Sequence, residues 1–118
     1  MDWRTLFFTF EGRINRLSFW VGTILLVIVN VVVLSLFDAV LGDDVSFVVS
    51  IVVAIALLYP SLAVHVKRWH DRDKSGWWVL VGFIPIVGLI WVIIACGIRT
   101  GTPGDNRFGP KPADGLVS

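Results

Sequence analysis

Three apolar runs, at positions 19–41, 45–66 and 77–98, occupy most of the sequence, and each is 22 or 23 residues long. An α-helix rises about 1.5 Å per residue, so each run reaches about 33 Å as a helix, enough to cross a hydrocarbon core about 30 Å thick. None of the ten Lys and Arg residues falls inside a run. The pattern predicts an all-α membrane protein with three hydrophobic helical segments.

The composition argues against a soluble globule. Charged residues make up 16% of the 118 residues, whereas soluble domains carry roughly 25%. Three long apolar runs in so short a chain leave too little polar surface to keep a globule in water. We therefore expect positions 1–118 to form a single integral membrane domain.

The first 17 residues carry an aromatic stripe. Trp3, Leu6, Phe7 and Phe10 follow the i, i+3, i+4, i+7 spacing that places side chains on one face of a helix. The stripe predicts a short interfacial helix that lies on the membrane surface before the first span. A helix that binds a partner protein is the alternative.

The basic residues indicate an orientation. Three precede position 19, four lie in the polar loop at 67–76 and three follow position 98, whereas the short loop between the first two runs has none. Short basic loops stay in the cytoplasm. The distribution predicts a multi-pass membrane protein with its N-terminus and the 67–76 loop on the cytoplasmic side.

The third run, 77–98, has two possible geometries. Pro85 removes a backbone donor and Gly88 loosens the next turn, so the helix is broken near its middle. A kinked single span would place the tail at 99–118 outside the cell. A re-entrant hairpin would instead keep all ten basic residues on the cytoplasmic side. The sequence leaves both geometries open.

The 67–76 loop is the most polar part of the chain, and it permits three interpretations. It is a solvated, self-paired loop, or an anionic-headgroup site in which basic side chains lie beside tryptophans at phosphate depth. The third interpretation is a catalytic or metal site that uses His70, Asp71 and Asp73. Too few ligands and too many basic neighbours argue against a metal. We predict no catalytic residue, metal ligand, cofactor or nucleic-acid partner.

Four motifs occur in order along the chain. They are Phe10-x-Gly12-Arg13-x-x-Arg16-x-x-Phe19-Trp20, Arg68-Trp69-His70-Asp71 with Ser75-Gly76-Trp77-Trp78, Ile84-Pro85-x-x-Gly88, and Gly101-Thr102-Pro103-Gly104-x-Asn106-Arg107-Phe108-Gly109-Pro110.

In this order the motifs resemble a bacterial inner-membrane family known as domain of unknown function 805, which includes the YhaH-like proteins. The resemblance covers nearly the whole chain, and it departs from the usual pattern at Trp69 and Lys111. It implies an inner-membrane location and supplies no activity. It also suggests that the central motif and the tail form one feature. We therefore expect Arg107 to pair with Asp71 or Asp73.

The leading functional hypothesis is a small non-enzymatic membrane protein. Its cytoplasmic Arg/His/Asp face would bind phospholipid headgroups or a membrane partner, and the chain would form a homo-oligomer or join a larger membrane complex. The candidate binding residues are Arg13, Arg16, Arg68, His70, Asp71, Asp73 and Arg107.

Two alternatives belong to other functional classes. An oligomeric transporter or channel subunit would line its path with Asn30, Tyr59 and the breaks at Pro60 and Pro85. An interfacial enzyme would act on lipid phosphate through the His70-Asp71 pair.

Overall fold

The computed structural model describes residues 2–116, and within them the fold is helical, with a single isolated bridge between Asn106 and Gly109. The predicted all-α class is confirmed. The elements are α1 (Trp3–Phe8), α2 (Arg16–Val40), α3 (Asp43–Asp71), a 3₁₀-helix (Gly76–Phe83), α4 (Val87–Val92) and a π-helical turn (Ile93–Ile98).

Helices α2 and α3 form an antiparallel hairpin with a tight turn at Leu41 and Gly42. The α2 helix begins earlier than the apolar run, because the Asn15 side chain caps it and accepts from the Ser18 backbone N–H at 2.8 Å. At the other end of the pair, Gly22 of α2 lies against Val64 of α3. Both helices are long and apolar enough to cross a membrane, and most of their apolar surface faces outward. An apolar surface of this extent is compatible with a lipid environment.

Helix α3 does not end where the apolar run ends. It continues through Asp71, so 67–71 belong to the helix, and the predicted polar loop at 67–76 is shortened to the few residues before Gly76. The side chains of these five helical residues are buried. Burial is compatible with their charge because other parts of the protein supply hydrogen-bond partners.

The third apolar run is a helical hairpin and not a continuous span. The 3₁₀-helix has 8 residues, about 16 Å, and α4 with its π-helical turn is about 18 Å long, so neither crosses a core of about 30 Å. The chain reverses at Pro85 and Ile86, and Ile86 has a φ of 64°. Gly82 then lies against Val92, so the two halves pack together.

Helix α1 confirms the predicted N-terminal helix, although it stops before Phe10. The Asp2 side chain caps its start, and the hydrogen bonds from Thr5 lower the pKa of Asp2. Leu6 is completely buried in the core, whereas Phe10 lies beyond the helix and packs on Tyr59 with ring centroids 5.0 Å apart. The interfacial position of α1 stays a prediction.

Candidate functional site

A buried carboxylate, that of Asp71 in the last turn of α3, lies between two arginines. Arg13 donates from Nε to Oδ1 at 3.0 Å, and Arg68, one turn earlier in α3, pairs with Oδ2. All three side chains are at most 5% exposed. Charges this deep are tolerated only when they are paired and hydrogen-bonded. The Asp71 carboxylate compensates both guanidinium groups, which also donate to backbone carbonyls.

Arg13 also holds the C-terminal tail. Its Nη1 donates to the carbonyls of Gly104 at 2.7 Å and Gly109 at 3.1 Å, and its Nη2 donates to the carbonyl of Thr102 at 2.7 Å. A guanidinium presents five donors in a rigid fork, and this one is occupied by α3 on one side and the tail on the other. The N-terminal arm, α3 and the tail therefore meet at Arg13.

The end of the apolar hairpin is capped by side chains from α2 and α3. The last carbonyls of a helix have no partner within the helix and carry partial negative charge. Four consecutive carbonyls here each accept a hydrogen bond: Cys96 from Arg68 at 2.6 Å, Gly97 from Trp20 at 2.8 Å, Ile98 from Arg16 at 2.9 Å, and Arg99 from Arg68.

Lys67 caps the carbonyls of α1 in the same way. Its ammonium donates to the carbonyls of Thr5 and Leu6, the latter at 2.7 Å, and it lies 3.4 Å from the Thr9 hydroxyl. The side chain is fully buried. Lys67 therefore fixes α1 against α3, and its charge does not face solvent.

The tail caps the C-terminal end of α3. The Thr102 N–H donates to the Asp71 carbonyl at 2.7 Å, and the Asn106 amide donates to the His70 carbonyl at 2.8 Å. Gly101 touches the Asp71 carboxylate so closely that a Cβ there would collide with it. At Gly101, Thr102 and Asn106 the tail is thus packed against the end of α3.

Two residues in the middle of the tail contact the segment around the end of α3. Arg107 pairs with Asp73 at 3.2 Å, and the Phe108 ring stacks on His70 with centroids 3.8 Å apart. The expected pairing of Arg107 is therefore confirmed for Asp73, whereas Asp71 is occupied by Arg13 and Arg68. The Arg107–Asp73 pair is exposed, and such pairs contribute about 0–1 kcal/mol.

All seven residues predicted for the site lie at this end of the molecule, which we call the polar end. Their binding role stays a prediction. The contacts of Arg13, Arg68 and Asp71 are internal, so these three build the end of the fold and leave little capacity for an external ligand. Within residues 2–116, no three His, Cys, Asp or Glu side chains are grouped so that they could hold a metal ion.

A cleft of about 440 Å³ opens between the polar end and the apolar hairpin, and the sequence interpretation did not identify it. The signal for this cleft in the sequence is the apolar run at 77–98, which contains tryptophans and has basic residues on both sides. The lining residues are Trp69, Arg72, Lys74, Trp78, Val87, Ile90, Trp91, Ile94, Ala95 and Arg99.

The cleft has a cationic rim and an aromatic wall. Lys74 lies 5.4 Å from the centre of the Trp78 ring, and Trp78 packs on Trp69 with centroids 5.7 Å apart. Among the residues that the structure describes, the side chains of Arg72 and Arg99 form no hydrogen bond or ion pair. Their charges are therefore available to an anion.

The family assignment follows from comparison with known proteins. Residues 7–110 match a family described as protein of unknown function, DUF805. The chain belongs to this family. Among curated relatives, the inner membrane protein YhaH of Escherichia coli K12 is 38% identical, over 87% of this chain and 86% of its own length.

Two further relatives from the same organism extend the comparison. The inner membrane protein YhaI is 34% identical over 90% of this chain and 87% of its own length. The uncharacterized protein YiiR is 32% identical over 91% of this chain and 88% of its own length. No solved structure matches the chain. This DUF805 protein is thus related to inner membrane proteins and has two helices able to span a membrane.

Proposed function

We propose that this protein is a non-enzymatic, multi-pass inner-membrane protein whose polar end lies on the cytoplasmic side and binds anionic phospholipid headgroups. The observation that carries the proposal is the set of basic side chains that the internal network leaves free. Arg72, Lys74 and Arg99 surround a cleft lined by tryptophans, and none of the three has an acidic partner within residues 2–116. Cations beside tryptophans at headgroup depth attract lipid phosphate.

The orientation is supported by the separation of charge along the molecule. Because the apolar hairpin returns the chain to the polar end, all ten Lys and Arg residues belong to segments that meet there. The opposite end, at the turn between α2 and α3, carries Asp38, Asp43 and Asp44 and no basic residue. Basic segments stay in the cytoplasm, which favours a cytoplasmic polar end.

The enzymatic alternative has less support. Catalysis on lipid phosphate would need His70 and Asp71 to reach a substrate. Asp71 is buried between two arginines, and His70 is stacked under Phe108 with its Nδ1 3.0 Å from the Gly12 carbonyl. A general acid or base must lie within hydrogen-bond reach of the reacting group. These contacts occupy the Asp71 carboxylate and Nδ1 of His70, and the His70 residue is only 8% exposed.

The channel alternative would use Tyr59 and Asn30, and the structure places these two residues in different surroundings. Tyr59 donates to the Phe8 carbonyl at 3.1 Å, so α1 holds its hydroxyl. Asn30 lies in an open groove between α2 and α3 with Thr23 and Ser61. Within residues 2–116 its amide has no hydrogen-bond partner, and an amide in hydrocarbon needs one. We propose that a second copy supplies it, which makes Asn30 an oligomer contact.

The lipid preference is tested by measuring which phospholipids bind to the purified full chain. Mixed micelles with equal phosphatidylglycerol and phosphatidylcholine are analysed by native mass spectrometry at low and high salt. We expect phosphatidylglycerol to predominate at low salt and its excess to shrink as salt rises, because each basic residue near an anionic surface contributes about 1 kcal/mol and salt screens it. Equal binding of both lipids at low salt would refute the proposal.

A further inference from the structure

We infer that the cleft is a specific site for one phospholipid, whose phosphate lies at the cationic rim and one of whose acyl chains lies against the apolar hairpin. The inference rests on the proposed headgroup binding and goes further, because it names a single bound diacyl lipid in place of a general attraction. The site has a polar part and an apolar part, and a phospholipid matches both.

The polar part consists of three side chains from two separate segments. Arg72 directly follows α3 and Lys74 follows two residues later, whereas Arg99 follows the π-helical turn. The Arg68 guanidinium fixes the Arg99 carbonyl, and Arg72 is fixed because its N–H donates to the Trp69 carbonyl at 3.0 Å. Their backbones are thus held in place, while the charged ends are free. Arginine matches phosphate through paired hydrogen bonds, so this rim is built for a phosphodiester.

The apolar part is one face of the hairpin. Ile90, Trp91 and Ile94 of this face are half or nearly half exposed, although they line the cleft. A volume of about 440 Å³ falls in the range of roughly 300–1,000 Å³ that is usual for ligand sites. Lipid tails are as apolar as this wall, so the acyl chain gains little from leaving the bilayer. Selectivity therefore comes from the net negative charge of the headgroup at the cationic rim, and the wall fixes the position of the chain.

The Trp69 indole supplies a further polar group. Its Nε1 is buried and has no hydrogen-bond partner within residues 2–116, although Trp69 lines the cleft. Buried N–H groups are almost always paired, and an unpaired one costs free energy. A phospholipid in the cleft offers phosphate and ester oxygens as acceptors for this N–H. Inorganic phosphate offers acceptors too, so the apolar wall, and not the indole, distinguishes a lipid from an inorganic anion.

The experiment counts lipids on the purified full chain by native mass spectrometry during titration with phosphatidylglycerol. Ile90→Trp narrows the cleft, and Leu89→Trp places the same ring on a neighbouring exposed position that does not line it. We expect one tightly bound phosphatidylglycerol per chain in the wild type and in Leu89→Trp. Occupancy should fall about tenfold or more in Ile90→Trp, and at least as much in Arg72→Gln/Arg99→Gln, since each charge contributes about a factor of five.

The outcomes separate the two proposals. If Ile90→Trp keeps its single lipid while Arg72→Gln/Arg99→Gln loses it, headgroup binding stands and the acyl-chain site is wrong. If the wild type does not distinguish phosphatidylglycerol from phosphatidylcholine, the proposed function fails with it. If inorganic phosphate or glycerol 3-phosphate displaces the lipid at equal concentration, the site binds phosphate and the lipid assignment is overturned.

A second measurement does not depend on variants that must fold. Phosphatidylglycerol with brominated acyl chains quenches tryptophan fluorescence on contact. In wild-type protein in excess phosphatidylcholine, we expect one equivalent to quench a saturable fraction of the emission, as Trp78 and Trp91 line the cleft. Quenching that only follows the bulk mole fraction of brominated lipid would contradict a specific site.

Discussion

Arg13 and Asp71 lie 58 positions apart in the sequence, and they form a 3.0 Å ion pair in which both side chains are at most 5% exposed. This pair joins the arm before the first span to the end of the second. Through the other donors of Arg13 it also joins both to the tail. The proposed orientation and the proposed lipid site both depend on that convergence, because it brings all the basic segments to one end of the molecule.

Arg13→Ala is expected to destabilise the protein strongly. The change removes one of the two ion pairs of Asp71, which stays paired with Arg68. It also leaves three carbonyls without their donor, those of Thr102, Gly104 and Gly109. Each unpaired buried polar group costs about 1–3 kcal/mol, so we expect a loss of about 3–5 kcal/mol in all. Thermal unfolding in detergent, followed by circular dichroism, measures the loss. The control is Arg107→Ala, which removes an exposed pair and should cost no more than about 1 kcal/mol. Equal losses in the two variants would contradict the assigned burial.

Gly101→Ala should detach the tail from α3. A Cβ at Gly101 would collide with the Asp71 carboxylate, so the tail or the ion pair must move. Overpacking of this kind costs about 1–3 kcal/mol. We expect a lower unfolding temperature and faster proteolysis of the tail. Gly42→Ala is the matched control, since nothing lies within 4 Å of a Cβ there; if the two alanine variants behaved alike, the close packing at Gly101 would be refuted.

The Asp73–Arg107 pair should show a small, salt-sensitive coupling. A double-mutant cycle of Asp73→Ala and Arg107→Ala is expected to give about 0.2–1 kcal/mol at low salt, and less at high salt, because both side chains are exposed. Thermal stability of the four proteins is the measurement. A coupling of several kcal/mol, insensitive to salt, would mean that the pair is buried in the membrane-embedded protein.

Asn30→Leu should weaken self-association without loss of fold. The Asn30 amide lines the groove between α2 and α3, and hydrogen bonds of this kind between membrane helices contribute about 0.6–2 kcal/mol. Cross-linking in membranes, with a cysteine at Val27 in a Cys96→Ala background, reports association. Asn30→Gln, which keeps the amide, serves as the control and should retain the self-association. Unchanged cross-linking in Asn30→Leu would show that Asn30 does not contribute to the interface.

The sequence predicted which segments are helical better than it predicted where each helix ends. Apolar runs indicated α2, α3 and a broken third segment, and Pro85 indicated where the break lies. The sequence could not show that α3 continues to Asp71, because charges ordinarily end a span. They remain helical here because Lys67 and Arg68 find acceptors in α1, the arm and the hairpin. Those acceptors are backbone carbonyls, which every residue has, so the sequence does not reveal them.

The candidate site was predicted as a set of residues, and its arrangement was not. The Arg107–Asp73 pair followed from the expectation that the central motif and the tail form one feature. By contrast, Arg13 and Arg68 look like surface charges in the sequence, and only their long-range contacts show that they are internal. The cleft beside Arg72 and Arg99 depends on how the hairpin folds back, which local sequence patterns do not determine.

The side of the membrane on which the C-terminus lies is the sharpest test of this fold. A reporter active only in the cytoplasm is fused after Ser118, with fusions at the N-terminus and in the turn at Gly42 as references. The Arg13–Asp71 pair and the hairpin require the N-terminal arm and the tail on one side. We therefore expect a cytoplasmic signal from both terminal fusions and none from the turn. A C-terminal fusion that reports the opposite side from the N-terminal one would rule out the re-entrant hairpin and the convergence at Arg13.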